Sequence, residues 1–404
     1  MNSRRAKAQR WINRANEPAV RKAIEGGRSI LLLGPRQTGK SSLLKKFDYD
    51  FQISFLDRRQ RLRYERDPQV LVDEVEAFGP GPKAGRRKTR LFIDEVQKVP
   101  EILDTLQLLI DDYGVQAIIT GSSARKLRRH ADLNLLPGRV VSMRMDPLSL
   151  SEWAPKRIEE TLYYGSLPGV VTQPLPEREE LLRSYVETYL EEEVRQEALV
   201  RRLDHFSRFL EMAAIDSGKI SNFSEIARQV GVSHVTIASY YQILEDCLIV
   251  ERVDPVTHSL SRRKITKSPK YLFFDLGLRR LAAAEGIDVV PERKGELFEQ
   301  WTGLEIIRSL RAGRRKERLS FWRDPDGPEV DWVIRGSKEW IPVEAKWTER
   351  PTPAMAKNMK IFMREYPQAR RGLLVCRVPR PVRLDAAILA IPWQHLALHA
   401  RSQK

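Results

Sequence analysis

Gly34 and Gly39 bracket Pro35, Arg36, Gln37 and Thr38, and Lys40, Ser41 and Ser42 follow directly. That spacing suits a loop that cradles phosphates. Its glycines let backbone N–H groups turn inward, Lys40 neutralises the β- and γ-oxygens of a triphosphate, and the Ser41 hydroxyl ligates Mg²⁺. "SILLL" precedes the loop, and Leu43, Leu44 and Phe47 follow it at helical spacing, so it has the strand and helix it needs. The other half of such a site is a carboxylate at the tip of a second buried strand. "LFIDE" offers Asp94 to hold the metal through water and Glu95 to polarise the attacking water; alternatively the two acids cap the next turn. "IITGSS" ends a further strand in Thr120, Ser122 and Ser123, and Ser122 is the candidate γ-phosphate sensor.

A second set lies near the far end of the chain. Side chains alternate along a strand, so in "IPVEAKW" Glu344 and Lys346 share a face opposite Ile341, Val343, Ala345 and Trp347. In "EVDWVI" Glu329 and Asp331 share a face, with Val330, Trp332 and Ile334 behind. If "RGSK" closes a hairpin between them, Asp331 and Glu344 converge on a divalent cation, with Lys346 beside the water it activates. The competing reading is an amphipathic hairpin with a solvated charged face.

The elements that must position these groups read as α/β. Short apolar runs at 29–33, 51–57, 90–95, 115–120 and 139–145 alternate with helical stretches, the pattern of a parallel sheet covered by helices. Asp67 caps one helix with Pro68 at its first position, and Pro100 opens another. A Gly, Pro and Arg-rich exposed loop spans 79–90, and 177–216 carries long helical periodicity. In 222–253 a helix, a turn at Gly231, a cap at Ser233 and a second helix precede two strands around a basic loop. These are the parts of a winged helix-turn-helix, whose second helix offers His234, Thr236 and Ser239 for base reading, or serves a structural role. From Gly295 the order is helix, three strands, helix, strand. The units expected are 1–155, a sheet around the phosphate loop; 156–216, a helical lid or connector; 217–275, a winged helix; and 276–404, a small mixed α/β domain.

The chain of 404 residues carries 70 Lys and Arg against 54 Asp and Glu, a formal charge of +16. That excess makes a polyanion, DNA, the natural partner. No segment approaches the ~18 apolar residues of a membrane span, and the basic N-terminus lacks the apolar core of a secretory signal. Cys247 and Cys376 fit neither a disulfide framework nor a zinc pattern, and a reducing cytoplasm is expected.

"GPRQTGKSSLL", "LFIDEVQKVPE", "ITGSSARKL", "LPGRVVSMRMDPLSLSEW" and "YYGSLPGVV" resemble the prokaryotic AAA-type ATPases that carry a C-terminal domain long described as of unknown function. The resemblance continues through "YLEEEV", "SPKYLFFDLGLRRL" and "GELFEQW", and so spans nearly the whole chain. It implies a P-loop NTPase sheet, ATP with Mg²⁺ and a homo-oligomer, and it makes Arg139 the candidate to reach a neighbouring γ-phosphate, the alternative being a structural salt bridge behind the strand. The acid followed by E-x-K on the next strand, after a glutamate-bearing helix, resembles the PD-(D/E)XK nuclease superfamily. That resemblance adds Glu299 in "LFEQW", ahead of Glu305, to Asp331 and Glu344 as metal ligands, with Lys346 as the catalytic ammonium. Two functions follow: an ATPase that engages DNA and cuts it, or a nucleotide switch whose distal domains only bind nucleic acid or a protein partner.

Overall fold

A computed structural model describes residues 11–78, 88–123, 138–190, 203–257, 268–287, 290–324 and 327–399. The loop expected at 79–90 falls largely outside them, and the basic loop at 258–267 falls wholly outside them. The first sheet holds five parallel strands in the order β2-β3-β4-β1-β5: β1 Ser29–Leu33, β2 Phe51–Ser54, β3 Arg90–Asp94, β4 Gln116–Gly121 and β5 Val140–Arg144. Its central strands β1 and β4 are buried along their whole length, which is why they read as unbroken apolar runs. One face packs on Phe55, Leu71, Val75, Leu103 and Leu106, the other on Val20, Ile24, Leu43 and Leu44. Because all five strands run the same way, the tips of β1, β3 and β4 collect at one edge. Strand β2 stops at Ser54, three residues short of the apolar run, because Asp57 turns the chain and caps the helix Arg58–Arg66 by accepting from the Arg59 N–H at 2.8 Å.

In the stretch expected to be helical, 177–216, helix Leu175–Tyr185 passes into a π-turn at Val186–Leu190, and Leu203–Ile215 is helical; residues 191–202 lie outside the described ones. Phe223–Val230 and His234–Asp246 then form two helices about a left-handed Gly231 (φ 80°), with Asn222 and Ser233 as side-chain caps. His234 and Ser239 are exposed on the second helix, and Thr236 is partly exposed. β6 Val250–Val253 and β7 Lys270–Phe273 pair antiparallel as a ribbon. The helix Leu276–Ala282 packs on Ile158–Tyr164, so closely that a Cβ on Gly277 would lie 2.5 Å from the Tyr164 carbonyl carbon.

The last sheet has the order β12-β13-β11-β10-β9-β8, with β8 Arg318–Arg323, β9 Glu329–Arg335, β10 Trp340–Ala345, β11 Gly372–Cys376, β12 Val382–Arg383 and β13 Ile388–Pro392. The 22-residue helix Pro291–Ala312 lies against it. β9 and β10 form the expected hairpin, with Val343 opposite Trp332. One expectation fails here. Val330 does not lie behind with Trp332 and Ile334; it packs on the other face with Trp322 and Phe362. The register to β8 jumps between Ser320 opposite Val333 and Trp322 opposite Val330, so β9 carries one extra residue at Asp331–Trp332 and the alternation changes phase. β12, β13 and the short helix Leu396–His399 extend the unit beyond the elements read from sequence.

Candidate functional sites

The phosphate loop leaves β1 at Gly34, whose N–H donates to the Gly121 carbonyl at 3.2 Å. A Cβ there would lie 2.2 Å from the Met145 carbonyl oxygen, so only glycine fits. Gly39 (φ 93°) and Gln37 (φ 60°) turn the loop through left-handed conformations and launch Lys40–Leu44 as a helix. Lys40, 4% exposed, donates to the Gly34 and Pro35 carbonyls at 2.7 and 3.0 Å. Thr38 donates to the Pro35 carbonyl at 2.8 Å.

The tip of β3 faces this loop. Ser41 donates to Asp94 Oδ1 at 2.7 Å, and Thr120, from the tip of β4, donates to the same oxygen at 2.6 Å. Thr120 also accepts from the Glu95 N–H at 3.0 Å. Glu95 adopts a left-handed backbone (φ 61°), a strained conformation for a non-glycine residue that turns its carboxylate off the strand axis. Gln97 Nε2 and the Ser122 hydroxyl donate to Glu95 Oε2 at 2.6 and 3.0 Å, and Gln97 also reaches Ser122 Oγ at 2.7 Å. The strand tips thus gather Ser41, Asp94, Glu95 and Ser122 at one edge. A hydroxyl oxygen beside a buried carboxylate is a hard donor set that suits Mg²⁺.

Two contributors were not legible in the sequence. Gln97 sits two residues past an acid that already explained the motif. Arg14 belongs to a run that read only as charge, yet its guanidinium donates to the Thr38 carbonyl, to the Asp146 carbonyl at 2.6 Å and to Glu152 Oε1 at 2.8 Å. Trp11, Ile12, Gln37, Thr38, Pro168 and Thr172 border a cavity of about 480 Å³ beside the loop. Arg139 is not brought to the loop within the chain. It precedes β5, at the opposite edge of the parallel sheet, and pairs with Asp111 at 2.7 and 2.8 Å, which holds that carboxyl below its usual range.

The distal acids do converge. Asp331 Oδ2 accepts from the Ala345 N–H at 2.9 Å, Lys346 Nζ lies 2.7 Å from Glu344 Oε2 and 3.6 Å from Asp331 Oδ2, and Glu299, Glu329 and Asp331 offer oxygens within 4.8 Å of one another. Burial and then the Asp331 charge raise the Glu344 carboxyl well above its usual range, and the same causes push Glu299 up to about 7. Burial alone would lower the Lys346 ammonium, but Asp331 and Glu344 outweigh it and raise it. Glu344 Oε1 is buried without a hydrogen-bond partner, the mark of a carboxylate suited to a cation. Lys270, from β7, enters the cluster between Glu299 and Glu329 and was not foreseen; nothing in "SPKYLFF" signals that the ribbon meets the distal helix. Glu305 is not part of the cluster: it accepts from the Leu150 N–H at 3.0 Å, where burial pushes it up to about 7. A cavity of about 540 Å³ between the ribbon and the sheet is bordered by Arg252, Lys316, Arg318 and Arg335, and also by Glu251, Asp254 and Glu317.

Residues 27–154 match the AAA domain family. That match supports nucleotide binding and nucleotide-dependent activity in this part of the chain. Residues 155–288 and 294–396 match two domains of unknown function, DUF8612 and DUF4143. An uncharacterized protein of Mycobacterium tuberculosis is 26% identical over 360 residues, covering 88% of this chain and 78% of the relative. One of Methanocaldococcus jannaschii is 22% identical over 425 residues, covering 94% and 87%. Among solved structures, a signal transduction ATPase with numerous domains from Pyrococcus horikoshii aligns at 12% identity and TM-score 0.21, covering 75% of this chain and 47% of that longer one. A DNA polymerase III gamma subunit-related protein from Thermotoga maritima aligns at 13% identity and TM-score 0.23, covering 74% and 99%. Among the described residues no helix is long and apolar enough to cross a membrane.

Proposed function

We propose that the protein hydrolyses ATP at the edge where β1, β3 and β4 end. The carrying observation is the convergence of the Ser41 and Thr120 hydroxyls on Asp94, next to a Glu95 carboxylate held by Gln97 and Ser122. On this reading Lys40 exchanges its two carbonyl partners for β- and γ-oxygens, and loop N–H groups take the rest of the triphosphate. Ser41 and Asp94 hold Mg²⁺, which neutralises charge on the phosphates. Glu95, aimed by its two donors, orients a water and accepts its proton. The cavity beside the loop suits the nucleoside. The test is steady-state ATP turnover: Lys40→Ala abolishes it, and Glu95→Gln keeps ATP binding while losing hydrolysis. Unchanged turnover in both variants would refute the assignment.

We further propose that the chain engages DNA and that Asp331, Glu344 and Lys346 hydrolyse its phosphodiester bonds with a divalent cation. The buried, unpartnered Glu344 Oε1 beside Asp331 and an ammonium favours this over a solvated charged hairpin. The cation would supply Lewis acidity and a more acidic water; Asp331 and Glu344 would hold it and Lys346 would position the water. The arginines and lysine bordering the distal cavity and the exposed second helix near His234 support contact with a phosphate backbone. Incubation with Mg²⁺ or Mn²⁺ and single-stranded, duplex or branched DNA, against Glu344→Ala and Lys346→Ala, decides it. Equal products from all three proteins would leave the distal unit a binding module.

A further inference from the structure

The acidic cluster has two faces, and they differ. On one, Lys270 Nζ lies 2.9 Å from Glu299 Oε1 and 3.1 Å from Glu329 Oε1, and its ammonium sits 5.1 and 5.0 Å from the ring centres of Phe321 and Trp332. Lys270 is 1% exposed, so this is a built-in ion held by two carboxylates and two aromatic faces. On the other face, Asp331 and Glu344 meet Lys346, yet Glu344 Oε1 has no partner although the residue is 2% exposed. Arg323 adds a second positive charge 3.0 Å from Glu329 Oε2, so two cations balance the two acids of the first face; the second face still has a buried acceptor to satisfy.

We infer that these acids take a single divalent cation, between Asp331 and Glu344, and that the Lys270 ammonium stands where a second one would otherwise bind. This rests on the metal-dependent reading of the distal site. Lys270 satisfies Glu299 and Glu329 from a strand that belongs to the ribbon, and a dication brought to the same oxygens would meet a positive charge at contact distance. Glu299 is therefore the partner of Lys270 and not a metal ligand. An ammonium has three donors and no vacant coordination position, so it can neutralise the cluster without activating a second water.

The test counts ions in the nucleotide-free full chain by titrating Mn²⁺ and reading the free ion by electron paramagnetic resonance. Subtracting the Asp331→Asn variant removes ions held elsewhere. The wild-type protein is expected to hold one more Mn²⁺ than Asp331→Asn, and Lys270→Met to hold one more than the wild type. Glu299→Gln should retain the single ion with its affinity within about fivefold. Circular dichroism checks that each variant folds, and if Lys270→Met does not, the Glu299→Gln arm decides alone. Two ions in the wild type, loss of the ion in Glu299→Gln, or no second ion in a folded Lys270→Met each overturns the inference while leaving a metal site in place. No difference between wild type and Asp331→Asn removes the metal reading itself, and the inference with it.

Discussion

Replacing Lys40 by alanine should weaken ATP binding by an amount the loop itself sets. The ammonium is 4% exposed and bonded to the Gly34 and Pro35 carbonyls at 2.7 and 3.0 Å, so its charge is already in place and no rotamer search accompanies binding. Against a phosphate oxygen about 4 Å away, with an effective dielectric constant of about 20, one unit charge gains about 4 kcal/mol. Giving up two carbonyl contacts costs about 1–2 kcal/mol in total, which leaves about 2–3 kcal/mol. At 1.4 kcal/mol per tenfold, the dissociation constant for MgATP should rise about 30- to 150-fold. The freed carbonyls belong to the buried Gly34 and Pro35, so the melting temperature without nucleotide should fall by a few degrees while the protein still unfolds cooperatively. Isothermal titration calorimetry reads the first quantity and thermal unfolding the second. A dissociation constant within about threefold of wild type, in a protein that unfolds cooperatively, would refute the placement of the triphosphate against Lys40.

Gln97→Ala should lower kcat about tenfold or more while leaving KM nearly unchanged, because Gln97 aims Glu95 and touches no part of the nucleotide in the proposed arrangement; steady-state ATPase kinetics check this. Gly34→Ala should abolish nucleotide binding, since its Cβ would lie 2.2 Å from the Met145 carbonyl oxygen; calorimetry with MgATP is the readout. Glu305 is buried and its carboxyl is raised from 4.5 to about 7, so the fold favours its protonated form. Its stabilising contribution is complete below the unfolded value of 4.5 and is lost as pH rises through about 7. Glu305→Gln should therefore remove up to about 3 kcal/mol of the stability decline across that window, seen as a flatter plot of urea midpoint against pH. Lys316→Ala and Arg318→Ala should each reduce the slope of log affinity for DNA against log salt by about one, measured by fluorescence anisotropy.

The phosphate loop was legible because its chemistry is contiguous: eight residues carry the turn, the cation and the hydroxyl, and the flanking apolar runs announce strand and helix. Asp94 and Glu95 were legible for a similar reason, as acids at the end of a buried run. The distal hairpin was readable from alternation alone until the extra residue at Asp331–Trp332, because a bulge changes phase without leaving a mark in local composition. Gln97, Arg14 and Lys270 were out of reach for a different reason. Each acts on a partner that only the folded chain brings near: Gln97 on Ser122, 25 positions away, and Lys270 on Glu329, 59 positions away. Arg139 illustrates the converse, since its motif was readable but its side chain is committed to Asp111.

Arg144 and Asp146 leave the end of β5, Glu251 belongs to the ribbon, and Arg311 to the long distal helix. Arg311 reaches Asp146 at 2.9 Å and bonds both oxygens of Glu251, and Arg144 contacts both acids. Four charges from three stretches of chain thus share one knot in which Glu251 is buried, Asp146 nearly so, and the two arginines are partly exposed. An expression fragment cut near residue 155 would strand Arg144 and Asp146 without their counterions, and one begun near residue 294 would strand Arg311. Each piece would inherit bare charge along the face where it was severed. Stability measured on isolated pieces will therefore understate that of the intact molecule, and anything that loosens this knot should be felt by the nucleotide edge and the distal acids together.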